Sequence, residues 1–408
     1  TIRVRAMVAR GGLDSCARST REIVPLFPFL GKTVLTVWYP CGHGIIPFST
    51  MLCRDALLPG AKGYLIMSMT FRRRLPIPME IRDQMPLPPE LAQRKASFDA
   101  AVAAIVKGED ERKLLVIGPC SADREDSVLE YMDRLAKLQD EVEDAFLFVP
   151  RVYTNKPRTK GTGYKGLLHN PDPAGEPDLL EGVKAIRHMH LRVVEESGMF
   201  TADEMLYPEN YQYLIDLLSY VAVGARSVEN QQHRLVASGV CGAVGMKNPT
   251  GGSTAVMLNS IHAAQARQTF IFRNWEVETT GNPLAHALLR GYVGDDGVNY
   301  PNYHFEYLER LAERYARDMY ESPAVVIDCN HDNSGKRPLE QTRIVNEVLD
   351  SVRRSTSIAG LFRGFMVESY LKDGAQPVGG GVFGKSITDA CIGWERTELL
   401  VRGMAERL

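Results

Sequence analysis

From Ala92 onward the chain alternates short, nearly continuous apolar runs with longer stretches of helical periodicity. Eight runs stand out: LLVIGPC (114–120), FLFVPRV (146–152), MFTADEM (199–205), YVAVGAR (220–226), GAVGMKN (242–248), TFIFRN (269–274), AVVIDCNH (324–331) and GFMVES (364–369). Between them, segments such as SVLEYMDRLAKLQDEV and HFEYLERLAERYARDM repeat apolar residues at i, i+3, i+4 and i+7, the stripe of an amphipathic helix. Strands without polar alternation are buried on both faces, as in parallel sheets covered by helices. Eight strand–helix units predict an α/β fold, a (β/α)8 TIM barrel. A doubly wound sheet is the alternative, but no G-x-G-x-x-G or P-loop follows the first strand.

The last polar residues of these runs are Cys120, Arg151, Glu204, Arg226, Lys247, Arg273, His331 and Glu368. In a barrel such positions share the C-terminal rim, where active sites are assembled. Charges gathered there are costly to bury without partners or ligands. Cys120, His331 and Glu368, joined by Asp389 of GKSITDACIGWE, offer a thiolate, an imidazole and carboxylates. These are the usual protein ligands of a divalent transition metal, and the mixture of soft and hard donors admits Mn, Fe, Co or Zn. Taken singly, Cys120 reads as a small core thiol and His331 as a hydrogen-bonded core histidine. A Cys–His nucleophile pair is a further reading, disfavoured because carboxylates nearby raise a thiol's pKa.

A second group is cationic: Arg151, Lys156, Arg158, Arg226, Lys247 and Arg290. Arg clamps carboxylates and phosphates with two parallel hydrogen bonds, and Lys adds a point charge. One such residue is ordinarily a solvated surface charge. Gathered at one mouth, they match roughly five negative charges, which two phosphorylated small molecules supply if one is also a carboxylate.

Composition narrows the classes. Apolar content of 44%, charged content of 24% and a net charge of −2 are those of an ordinary globular chain, with no pull toward nucleic acid or membrane. The cations lack interleaved aromatic residues for stacking bases, and no apolar run reaches the roughly 18 residues of a membrane span. Seven cysteines without a C-x-x-C pair argue against a disulfide framework and for a reducing, cytoplasmic setting. Charge is uneven: residues 1–74 hold 11 Lys/Arg against 3 Asp/Glu, and the remainder 37 against 47. Residues 1–66 show no sustained periodicity and are read as a non-native or disordered leader, with translation expected from Met67 or Met69; an organelle transit peptide is the alternative. Residues 67–108 then form an N-terminal extension and first helix, and 109–408 the catalytic barrel.

IGPCS (117–121), RVYTNKPRT (151–159), GARSVENQQHR (224–234), VGMKNPTGG (244–252), DCNHDNS (328–334), MVES (366–369) and GKSITDACIGW (384–394) lie in one order along the chain. In that order they resemble the type I 3-deoxy-D-arabino-heptulosonate 7-phosphate (DAHP) synthases, from about residue 92 to 405. The resemblance implies a metal-dependent (β/α)8 barrel that condenses phosphoenolpyruvate with erythrose 4-phosphate at the head of the shikimate pathway. It implies Cys120, His331, Glu368 and Asp389 as ligands of one divalent ion. It places Arg226, Lys247 and Arg290 near the phosphate of phosphoenolpyruvate and Arg151 near its carboxylate, with Lys156 beside it. Lys156, Pro157, Arg158 and Thr159 match the K-P-R-T element that receives the aldose phosphate, and Glu204 lies near the reacting carbons. Acid–base work falls to Lys156, Glu204 and His331, and an assembly of two or four copies is implied. The chain departs from the family in KPRTKGTGYKG, one residue longer with Tyr164 in place of Trp, and in KNPTGG and HDNSGK. These predict local loop changes with substrate contacts intact. The related 3-deoxy-D-manno-octulosonate 8-phosphate synthases typically carry K-A-N-R where this chain has KPRT, and a catalytically inactive regulatory barrel would lack a ligand.

Overall fold

The computed structural model describes residues 35–41, 44–50, 69–158 and 161–408. The chain divides into two units, Thr1–Arg74 and Leu75–Leu408. In the first, strands Leu35–Cys41 and Gly44–Thr50 pair antiparallel, Leu35 opposite Thr50. The boundary proposed at residue 66 and the start at Met67 lie outside the described residues, as does Thr159.

The second unit is the barrel. Its strands are β1 (Lys113–Gly118), β2 (Phe146–Pro150), β3 (Thr201–Glu204), β4 (Leu218–Val223), β5 (Ala243–Lys247), β6 (Ala285–Leu289), β7 (Val325–Asp328) and β8 (Phe362–Glu368). They pair parallel in the order β2-β1-β8-β7-β6-β5-β4-β3, and a bridge from Arg151 to Ala202 joins the two ends into a ring. Both faces are buried, and the two-residue period sorts side chains into two cores. Val116, Val149, Ala222, Leu288, Val326 and Met366 fill the interior. Their neighbours Ile117, Phe148, Val223, Leu289, Ile327 and Val367 pack outward against the helices.

The helices follow from the same patterning. In α3 (Glu125–Glu141), Val128, Tyr131, Met132, Leu135 and Leu138 are buried at helical spacing against the sheet. The helix expected over HFEYLERLAERYARDM runs from Phe305 to Asp318, burying Leu308, Leu311 and Tyr315. Before the first strand lie α1 (Pro78–Gln84) and α2 (Pro89–Lys107); α2 begins with proline, is rich in alanine and ends at Gly108 in the left-handed conformation. Its Val102, Ile105 and Val106 join the interior cluster beside Leu114, Ala243 and Ala324, so α2 plugs the N-terminal mouth. Chemistry is thereby confined to the opposite rim. Among the described residues, no helix is long and apolar enough to cross a membrane.

One strand differs from expectation. TFIFRN is not the sixth barrel strand but part of a hairpin, Gln268–Phe272 against Trp275–Thr279. Arg273 and Asn274 form its two-residue turn, both with positive φ, as in type I′ turns. Ile271 and Trp275 are 78% and 73% exposed. The sixth barrel strand is AHALL (Ala285–Leu289), fully buried and followed directly by Arg290. Aromatic and β-branched content favours a strand, and TFIF lies in one, but in a ribbon that packs little; the barrel takes an alanine-rich segment instead.

Candidate active site

Strand ends deliver the side chains. Glu204, Lys247 and Glu368 close β3, β5 and β8, Arg151 and Arg290 directly follow β2 and β6, and Cys120, Arg226 and His331 sit on the turns after β1, β4 and β7. The first strand can reach the rim because Gly118 lacks a side chain: a Cβ there would lie 2.4 Å from the Arg151 carbonyl oxygen. Arg273, on the hairpin turn, takes no part.

Cys120, Glu368 and Asp389 each place one ligand atom within 4.8 Å of the others. The Lys156 ammonium donates to Cys120 Sγ at 2.6 Å and to Asp389 Oδ2 at 3.0 Å, and Cys120 Sγ lies 3.5 Å from that oxygen. Glu368 Oε1 accepts from Arg151 Nη2 at 2.7 Å, and Oε2 accepts from Asn330 Nδ2 at 2.5 Å. His331 stands at the edge of this group, its Nε2 3.8 Å from Glu368 Oε1 and outside the mutual 4.8 Å set. Its backbone is left-handed, with φ of 46°, a strained state for a non-glycine residue. His331 Nδ1 is 2.7 Å from Asp328 Oδ2, yet neither atom has an aligned hydrogen bond, so the contact is electrostatic.

Electrostatics fix the charge states. Burial, then Glu368, pushes the Cys120 thiol up to about 11, against the pull of Lys156. Lys156 holds Asp389 well below the usual carboxylate range. Burial would raise Glu368, but Arg151, His331 and Lys156 outweigh it and keep the carboxylate charged. Burial opposes the Lys156 ammonium as well, and Cys120, Asp389 and Glu368 hold it protonated. A thiol and two carboxylates in contact, with an imidazole alongside, fit a divalent ion of intermediate hardness.

Beside this cluster opens a cleft of about 300 Å³ lined by Arg151, Lys156, Arg158, Arg226, Lys247 and Arg290, with Pro157, Glu204 and His331. Every cation expected at the mouth is therefore present. Arg151 is buried against the ring of Tyr153, 3.8 Å from its centre, and donates Nε to the Pro119 carbonyl at 3.1 Å. Lys247 Nζ pairs with Asp328 Oδ2 at 3.4 Å, and Arg290 pairs with Asp332. Arg158 is turned by its Nε, which donates to the Tyr164 carbonyl at 2.7 Å. Glu204 has room because residue 224 is glycine; a Cβ there would stand 2.2 Å from Glu204 Oε1.

Four participants were missed in the sequence: Asp328, Asn330, Asp332 and Lys336. Asp328 carried a signal, since a carboxylate inside a buried strand demands a cation, and it finds Lys247 and His331. Asn330 and Asp332 flank His331 and were visible only once the turn was seen to fold over Glu368 and Arg290. Lys336 lines the cleft and lies 3.8 Å from Asp389 Oδ1.

A closed parallel barrel whose rim joins a thiol–carboxylate cluster to a cationic cleft defines a (β/α)8 enzyme acting on anionic substrates. Residues 89–402 match the DAHP synthetase I family. The Trp-sensitive phospho-2-dehydro-3-deoxyheptonate aldolase of Escherichia coli O157:H7 is 35% identical, over 80% of this chain and 93% of its own. The Phe-sensitive enzyme of Escherichia coli K12 is 36% identical over 80% and 93%. In structure, the phospho-2-dehydro-3-deoxyheptonate aldolase of Francisella tularensis SCHU S4 superposes with a TM-score of 0.76 at 28% identity, covering 83% of this chain and 98% of that one. The chain belongs to the DAHP synthetase I family, and its activity is that of a DAHP synthase in aromatic amino acid biosynthesis.

Proposed function

We propose that the chain condenses phosphoenolpyruvate with erythrose 4-phosphate and water, releasing phosphate, with one divalent ion held by Cys120, His331, Glu368 and Asp389. The observation that carries this reading is the convergence of Cys120, Glu368 and Asp389 within 4.8 Å beside the cationic cleft. Lewis acidity toward the aldehyde oxygen is what a divalent ion, Mn, Fe, Co or Zn, supplies when bound there.

The chain's own residues do the rest. Arg226, Lys247 and Arg290 take the phosphate of phosphoenolpyruvate, and Arg151 and Lys156 its carboxylate side. Lys156, Pro157, Arg158 and Thr159 take the aldose phosphate. Two anions brought face to face repel one another in water; the cationic walls offset that repulsion and fix the approach, the larger part of catalysis in a bimolecular step. Carbon 3 of phosphoenolpyruvate then bonds to the aldehyde carbon, whose oxygen takes a proton. Water adds at carbon 2 and loses a proton to the rim, where Glu204 and His331 are placed. The hemiketal hydroxyl then gives its proton to the rim as the carbon–oxygen bond to phosphate breaks, leaving the ketone, and the departing phosphate takes a proton from Lys156, whose ammonium stands 2.6 Å from Cys120 Sγ. We further propose a cytoplasmic enzyme of two or four copies.

Phosphate release from phosphoenolpyruvate with erythrose 4-phosphate tests the reading, before and after chelation. Turnover should vanish with the metal and return on its addition; turnover that survives complete removal contradicts it. Faster reaction with arabinose 5-phosphate would transfer the chain to the octulosonate class.

A further inference from the structure

Asp389 serves two lysines at once. Its Oδ2 accepts from the Lys156 ammonium at 3.0 Å, and its Oδ1 lies 3.8 Å from that of Lys336. Lys156 also donates to Cys120 Sγ at 2.6 Å, and that sulfur is 3.5 Å from Asp389 Oδ2. The two side chains that hold Lys156 are thus two of the three whose ligand atoms converge. Lys336 is set in place by its backbone: φ is 60°, and its amide donates to the His331 carbonyl at 2.8 Å. Both lysines line the cleft.

A divalent ion on a thiolate and a carboxylate sits about 2.0–2.3 Å from each donor. An ammonium bonded to the same two side chains then faces a like charge at close range, a strong repulsion inside a protein. Two cations therefore claim one pair of donors. We infer that Cys120 and Asp389 couple the metal to the sugar phosphate: metal binding releases Lys156 and Lys336 into the cleft, and a phosphate that draws the lysines away frees the donors for the metal. This rests on the ligand reading given above and adds Lys336 as a second cation for the aldose phosphate. The linkage is reciprocal, so each ligand tightens the other by the same factor.

Mn2+ binding to the metal-depleted full chain, followed by titration calorimetry, separates the possibilities. Lys156→Met and Lys336→Met keep side-chain length and remove the charge. Without substrate, Lys156→Met should bind Mn2+ roughly tenfold more tightly, and Lys336→Met about two- to threefold, its pair being more exposed. Erythrose 4-phosphate should tighten Mn2+ binding in the unaltered protein and much less in Lys156→Met. In Lys336→Met the KM for erythrose 4-phosphate should rise while that for phosphoenolpyruvate stays, a split that general loosening would not produce. Cys120→Ser is the control for the ligand set. If it loses Mn2+ while both lysine variants bind as the unaltered protein does or more weakly, the competition is overturned and the ligands stand. If Cys120→Ser binds Mn2+ normally, the ligand reading falls, and the coupling with it.

Discussion

At neutral pH the Cys120 thiol, pushed up to about 11 by burial and Glu368, keeps its proton unless a further cation arrives. On the proposed ligand set a metal takes the thiolate, so binding should release that proton, and affinity should rise with pH as long as the pH stays below the thiol's pKa. The expected slope is about tenfold in affinity per pH unit between roughly pH 7 and 9, measured with Mn2+ or Zn2+ against a competing chelator. Cys120→Ser should flatten the slope and lose metal and activity together while leaving the circular dichroism spectrum unchanged. Wild-type metal content in that variant would sink the assignment. Arg151 makes a different demand. Its guanidinium is 1% exposed and bonded to Glu368, itself fully buried, so removing it strands a charge in the barrel. Arg151→Met should cost about 3–5 kcal/mol of stability in urea unfolding, more than a surface ion pair would. A loss below about 1 kcal/mol would mean that water reaches Glu368.

At the level of elements, legibility followed burial. Seven barrel strands were readable, most of them because both faces are apolar, so that a run such as LLVIG has no other stable place than a covered parallel sheet; TADE of β3 was carried by its apolar flanks. The sixth, AHALL, was hidden: alanine favours helix, and His286 sits in the interior bonded to the Tyr220 hydroxyl at 2.8 Å. Only the closed ring reveals that a gap between β5 and β7 needs it. The site shows the same division. Residues at strand ends could be named, and Arg290 was, but groups on the turn after β7, such as Asn330 and Lys336, depend on a left-handed bend at His331 that no periodicity announces. The hairpin offers a direct check on the corrected strand. Arg273 stands at a positive φ that asparagine accepts more readily than arginine. Arg273→Asn should leave kcat and both KM values unchanged and raise stability by up to about 1 kcal/mol. A large loss of substrate affinity would return Arg273 to the rim.

Across the whole molecule, charge is arranged against its own average. The net charge is −2, yet one rim concentrates the cations that face the cleft, while α2 seals the other end of the barrel with apolar side chains. Substrate attraction therefore comes from local focusing and not from the global field. The same rim is where folding and ligation meet. Cys120 and Asp389 come from chain segments 269 residues apart, on the turn after β1 and in the stretch following β8. On the proposed ligand set, an ion held by both, with Glu368 and His331, would tie the first strand of the barrel to the last, and no unfolded chain would present these ligands together. Binding to the folded state alone stabilises it by mass action, about 2.7 kcal/mol when the free metal is a hundred times its dissociation constant. For a barrel of this size that corresponds to a rise in Tm of about 4 °C, continuing with the logarithm of metal concentration. Scanning calorimetry of metal-depleted protein across a Mn2+ series should show this rise, and Cys120→Ser should show none. An equal shift in both would place the stabilising metal elsewhere on the molecule; no shift in either would mean that ligation does not bridge the two ends of the barrel.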